Sequence, residues 1–202
     1  MYKTAIAAAA LLLSQAAGAA AVIGSTTGLA APATTITFDE QALAVNSAVT
    51  NQFAPQGITF SPYLYYTPQT GFPNVTGSTV GNFNDSSNGP DPAIFTMEFT
   101  NLQDDVAFAM VSNNTSWTFE ALLNGIVQES FTTNVGSGSD NFYGFTGLTL
   151  DAIRITGNGP DSMLIDNVQL GDAGGQVPEP TSLALVVLAL LGAGATARRR
   201  QT

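Results

Sequence analysis

Nine short runs of strand-forming residues fill the stretch from Pro32 to about Leu170, and turn signals separate them. They are Thr34–Phe38, Gly57–Phe60, Tyr63–Thr67, Ala93–Thr100, Asp105–Val111, Ser116–Leu123, Ile126–Thr133, Leu148–Thr156 and Met163–Leu170. Side chains on a strand alternate between two faces, so a half-buried strand reads apolar at every second position. Phe95, Met97 and Phe99 do so against Thr96 and Glu98. Trp117, Phe119, Ala121 and Leu123 do so against Thr118 and Glu120, and Val106, Phe108 and Met110 alternate with smaller residues. Asn124-Gly125 between two such runs predicts a tight hairpin, because both residues tolerate positive φ. No convincing helical period occurs, although Glu40 to Val49 admits a short helix. Many short antiparallel strands with regular turns predict an all-β fold, a sandwich or barrel.

The ends are of a different kind. Met1-Tyr2-Lys3 is followed by an apolar run from Ala5 to Leu13 and then by small residues. One positive charge, a short apolar stretch and a small-residue exit predict a signal peptide over residues 1–21. Ala17-Gly18-Ala19 and Ala19-Ala20-Ala21 both fit the cleavage pattern, with Ala30-Ala31 as a further site. At the other end Val177-Pro178-Glu179-Pro180 precedes a 17-residue apolar segment, 181–197, and then Arg198, Arg199 and Arg200. Such a segment just reaches the length needed to span a bilayer as a helix. The arginines would stay on the cytoplasmic side, with the domain outside.

This tripartite tail, residues 177–201, resembles the PEP-CTERM sorting signal, the substrate tag of exosortases. The resemblance implies passage through the secretion translocon and transient anchoring in the inner membrane. It implies cleavage near Pro178-Glu179-Pro180 by a membrane-embedded enzyme, then residence at the cell surface or outside the cell. Val177, Pro178, Glu179, Pro180 and Arg198–Arg200 are its recognition residues, and the host would be Gram-negative and produce extracellular polysaccharide. The β segment, residues 32–170, resembles the jelly-roll domains often attached to this tail and, more loosely, carbohydrate-binding modules. Ile36-Thr37-Phe38-Asp39 and Leu164-Ile165-Asp166-Asn167-Val168 carry that likeness. Gly171 to Gln176 reads as a flexible linker.

Composition narrows the chemistry. The chain has no Cys and no His, which removes thiol nucleophiles, disulfides, imidazole bases and the usual zinc ligands. From Pro32 to Asp172 the only basic residue is Arg154, against 14 acidic ones. Such a surface repels nucleic acid and anionic lipid. Asp166 shares an alternating face with Leu164, Val168 and Leu170, so a core location would require a partner: backbone N–H groups, Arg154 or a cation. In the jelly-roll likeness the first and last strands are neighbours, so Asp39 or Glu40 could meet Asp166 and hold a structural Ca²⁺. Tyr63 and Tyr65 could form a platform for stacking sugars, with Tyr66 on the opposite side. An enzyme would have to use carboxylates, and no motif selects a pair. The expected function is therefore a non-enzymatic envelope or matrix protein, the alternatives being a module that binds extracellular polysaccharide and, behind it, a carboxylate-based hydrolase.

Overall fold

A computed structural model describes residues 19–83, 92–159 and 161–172. These residues form twelve strands: β1 Ala20–Ser25, β2 Thr34–Ile36, β3 Ala48–Val49, β4 Ile58–Ser61, β5 Leu64–Phe72, β6 Val75–Gly81, β7 Ile94–Ser112, β8 Thr115–Leu123, β9 Ile126–Val135, β10 Phe142–Thr146, β11 Leu150–Gly157 and β12 Met163–Asp172. Every pairing is antiparallel. The fold is all-β and sandwich-like, as the turn spacing predicts. Among the described residues there is no α-helix, and a single 3₁₀ turn occupies Ala54–Gln56. Glu40 to Val49 is therefore not helical. Glu40 spends its carboxylate on Thr37, Asn46 takes φ 65°, and Ala48–Val49 pairs with β5.

Strand β7 organises the molecule. The sequence reads it as two runs, but it is one 19-residue strand. Its first half pairs with β4 and β11, and its second half with β10 and β12. One wing then continues from β11 through β8 to β9, and the other from β12 through β6 to β5 and β3. The first wing packs against β10 through aromatic rings. Phe119 of β8 stacks on Tyr143 of β10 at 5.3 Å, and Phe131 of β9 leans on Phe145 of β10 at 5.2 Å. Such pairs add to the stabilisation that burial of the ring area already supplies.

The alternation in β7 has two uses. Val106, Phe108 and Met110 face the main core, whereas Ala107, Ala109 and Val111 face a second apolar cluster with Leu29, Val75, Phe142 and Leu164. The small residues are small because a second layer covers that face. β1 pairs with β10, from Ala20↔Thr146 onward, so the fold begins before Pro32. Likewise β12 runs on through Asp172, which pairs with Gln103, so the strand takes in the first two residues read as linker.

A bulge breaks simple alternation in β12. On β8 no face changes: Leu122 is buried opposite Ala152 on the face of Glu120, outside both apolar clusters, and the extra residue of the β8–β9 shift, Gln128, lies on β9. In β12 the register shifts between Asp166 and Gln169, with Asn167 at φ 48°. A bulge turns every later side chain to the other face. Leu164 accordingly belongs to the second cluster, while Val168 and Leu170 belong to the main core. Asp166 therefore does not share a face with Val168 and Leu170. The predicted hairpin is present as expected: Asn124 and Gly125 have φ 52° and 76°, and Leu123 pairs with Ile126.

Candidate functional site

Three places merit scrutiny, and the first is the clasp around Asp166. β2 pairs with β12 at Val168↔Ile36, which makes the two expected neighbours adjacent. Phe38, fully buried at φ 60° with its ring edge-on to Phe53, turns the chain after β2. Asp39 then accepts the Ser78 N–H at 3.0 Å, and Asp166 accepts the Thr76 N–H at 3.0 Å and the Asn167 N–H at 2.6 Å. The two carboxylates thus grip alternate N–H groups of β6 on either side of Gly77. Asp166 is almost fully buried. Burial pushes its carboxyl up to about 7. The two backbone donors oppose that rise, and the charges of Asp39 and Glu40 add to it. Arg154 is not its partner. It pairs instead with Glu120 at 2.6 Å across the β8–β11 register. Among the described residues no three acidic side chains form a group placed to hold a metal ion. Asp39, Glu40 and Asp166 are close enough to feel each other's charge, and backbone donors occupy the carboxylates of Asp39 and Asp166.

The second place is the tyrosine pair. Tyr63 and Tyr65 are half-buried and pack edge to face at 5.3 Å, whereas Tyr66 is buried and donates its hydroxyl to Ser78 at 2.6 Å. The common face expected for Tyr63 and Tyr65 is present. Two perpendicular rings do not give one flat platform, and neither ring lines either of the two concavities described next.

The third place was not singled out from the sequence. A concavity of about 540 Å³ opens on the side of β7 and β12 away from the main core. Its floor is apolar: Phe72, Phe83, Val111 and Leu164. Gln69, Asn113, Asn114, Ser137 and Ser162 form a polar rim, and among the described residues no charged side chain lines it. Beneath the rim lies Asp161, also buried. It accepts hydrogen bonds from the hydroxyls of Ser112 and Thr115, from the Asn113 N–H at 3.2 Å and from Asn113 Nδ2 at 2.6 Å. Burial acts to raise this carboxyl, but these donors outweigh it and hold it down at about 2. The indole N–H of Trp117 donates to Ser112 and Thr115 at 3.1 Å, and buried Asn82 donates to the Asp161 carbonyl at 3.0 Å. Ser112 and Asn113 are therefore fixed from below by a polar network around Asp161. A smaller depression of about 360 Å³ includes Glu98 and Asp151. Asp151 accepts the Asn124 N–H at 2.7 Å, so its carboxylate already anchors the β8–β9 hairpin.

Asp161 closes the second Asn-Gly-Pro-Asp turn, and that repeated turn is the one sequence signal that could have pointed to it. The sorting residues Val177, Pro178, Glu179, Pro180 and Arg198–Arg200 lie outside the described residues, as does the segment 181–197. Among the described residues no helix is long and apolar enough to cross a membrane.

The family model of the PEP-CTERM protein-sorting motif matches residues 176–200. The tail is thus a PEP-CTERM sorting motif, which marks exported proteins for membrane-anchored sorting and names an exosortase as the processing partner. No curated protein and no solved structure matches the chain.

Proposed function

We propose that the chain is a non-enzymatic protein of the cell envelope or extracellular matrix, delivered by an exosortase that cleaves near Pro178-Glu179-Pro180. The observation that supports the sorting in this reading is the motif match over residues 176–200. The segment 181–197 holds the precursor in the inner membrane with Arg198–Arg200 inside, and cleavage leaves the β domain at the surface or in the medium. Intact-mass measurement of the protein from cells with and without an exosortase tests it. The expected result is loss of Arg198–Arg200 only where the exosortase is present. A chain that keeps all three arginines in both strains refutes the reading.

The leader fits the same route. Cleavage after Ala19 would leave Ala20, the first residue of β1, as the new N-terminus. Cleavage after Ala21 would remove the pairings Ala20↔Thr146 and Ala21↔Phe145, and cleavage after Ala31 would remove all of β1 together with buried Leu29. The expected mature protein begins at Ala20, which the same mass measurement reads.

A second reading, in which the β domain binds extracellular polysaccharide, is favoured by one observation: a concavity with an apolar aromatic floor and a neutral polar rim. Binding of the full-length protein to immobilised polysaccharides tests it, and retention on none of them counts against it.

A further inference from the structure

We propose that the concavity over β7 and β12 binds a segment of a neutral saccharide chain, with Phe72 and Phe83 as the stacking floor and Gln69, Asn113 and Asn114 as the hydroxyl-reading rim. This rests on the saccharide-binding reading above and gives that reading a site.

Size and shape come first. About 540 Å³ lies within the range of built small-ligand sites, which combine an apolar floor with a few placed polar groups. Phe72 and Phe83 are half-buried, packed from beneath against the second apolar cluster, and both line the opening. A sugar ring has an apolar C–H face and a hydroxyl edge, so it can lie on a phenyl ring and reach amides at the side.

Charge selects neutral ligands. With 14 acidic residues and one basic residue between Pro32 and Asp172, an anionic polysaccharide meets repulsion. Among the described residues no carboxylate lines the concavity. A peptide adding as a strand needs an open sheet edge. Here Met163 pairs with Ser112 and Leu164 with Val111, so the floor strands present faces and not edges.

Asn113 is preorganised in the rim. Asp161 takes both the backbone N–H and the side-chain Nδ2 of Asn113, which leaves the amide oxygen of an exposed side chain without a hydrogen bond among the described residues. Asp161 is a positioning residue here. It holds Asn113 and Ser112 and does not itself line the concavity. A rim residue fixed before binding loses less rotamer entropy when the ligand arrives.

The test uses the purified full-length chain against oligosaccharides derived from cellulose, xylan, mannan and β-1,3-glucan, with oligogalacturonate as the anionic probe, read by titration calorimetry. At least one neutral oligosaccharide is expected to bind, and oligogalacturonate is not. Phe83→Ala and, with less risk to folding, Gln69→Ala are each expected to weaken that binding by about tenfold or more. Near-UV dichroism of the single Trp117 verifies that both variants fold. Tyr63→Ala is expected to leave binding unchanged. Neutral binding that survives both groove variants, or that is lost in Tyr63→Ala, overturns the site while leaving the saccharide reading intact. Failure of every neutral probe to bind overturns both. The tail-cleavage result is independent of all these outcomes.

Discussion

Asp161 and Asp166 stand five residues apart, both are buried, and their carboxyls are pulled in opposite directions. Asp161 is held down at about 2 and Asp166 is pushed up to about 7. Burial raises both, and raises Asp166 more because it lies deeper; the donors around each decide the rest. Asp161 has four donors, two of them hydroxyls that rotate to face it. Asp166 has two backbone donors and two like charges nearby, Asp39 and Glu40. No cation relieves either, because the one basic side chain among the described residues is bound to Glu120. The fold therefore welcomes the charge of Asp161 and tolerates that of Asp166.

The contrast is broken most strongly by pH. Asp166 has a folded pKa above its unfolded value, so between about pH 4 and about pH 7 the unfolded chain has released a proton that the native chain keeps. Stability from this group is therefore full below about pH 4, falls as pH rises to about 7, and is flat beyond; a shift of this size corresponds to on the order of 4 kcal/mol. Asp161 has the opposite sign: its contribution is present above about pH 4 and is lost as pH falls toward about 2. Urea unfolding of wild type and Asp166→Asn across this range checks both. The gap between the two proteins should open from about pH 4 to about pH 7 in favour of the variant. A constant gap would mean that Asp166 does not titrate in that window. Calcium enters the same experiment. With no acidic trio among the described residues placed to hold it, the melting temperature near pH 8 is expected to be unchanged by calcium or EGTA. A rise with calcium that is absent in Asp166→Asn would show a cation seated beside Asp166.

Next in size is Asp161→Asn. Its amide nitrogen would face hydroxyl and N–H donors, leaving some of them buried without an acceptor. The expected loss is about 3 kcal/mol near neutral pH, read from the urea midpoint at unchanged m-value. A loss below about 1 kcal/mol would mean that the network under the groove is not held by the charge.

The two carboxylates also divide what the sequence made legible. Asp166 stood out because an acid within an apolar alternating run is anomalous, and its nearness to the strand of Ile36 was expected from the resemblance to jelly-roll domains, whose first and last strands are neighbours. Its face did not follow, since the bulge at Asn167 depends on a backbone conformation that composition does not reveal. Asp161 did not stand out. It lies in a turn, where acids are ordinary, and its donors Ser112, Asn113 and Thr115 come from a hairpin almost fifty residues earlier. The groove was illegible for the same reason: Gln69, Phe83, Asn113 and Ser162 come from four separated segments. The strands of the core were readable by period. β1 and β6 were not, because Ala-, Gly- and Ser-rich strands such as AAVIGS and VTGSTVG carry weak local preference and are made strands by their neighbours; β3 is two residues long, and the five-residue β10, FYGFT, is short and interrupted by Gly144. The tail was the reverse case, since its order of elements is written locally.

Gly77→Ala sharpens the comparison on the Asp166 side. Gly77 has φ 85°, and a Cβ there would sit 2.8 Å from the Asp39 carboxylate that holds Ser78. Strain at positive φ and a pushed carboxylate together should cost about 1–2 kcal/mol. If the clasp is one unit, Asp39→Asn should reduce the pH-dependent gap at Asp166, because it removes one of the like charges that raise it.

The smallest effect is expected where charge is most visibly paired. Arg154 and Glu120 form the single ion pair among the described residues, at 2.6 Å, with side chains 39% and 20% exposed. The hydrogen bond and charge of Arg154 lower the Glu120 carboxyl despite partial burial. Solvent screens a pair this open, so its worth is about 0.5–1 kcal/mol and it weakens with salt. Glu120→Gln should therefore cost less than a third of what Asp161→Asn costs, although Asp161 has no cation at all. The reason is the count of donors in a closed site: four fixed dipoles around a buried carboxylate bind it more firmly than one guanidinium does in water. If Glu120→Gln instead proves as damaging as Asp161→Asn, the ordering of these sites by burial and donor count is wrong, and the ion pair, not the hydroxyl network, is what holds the sandwich.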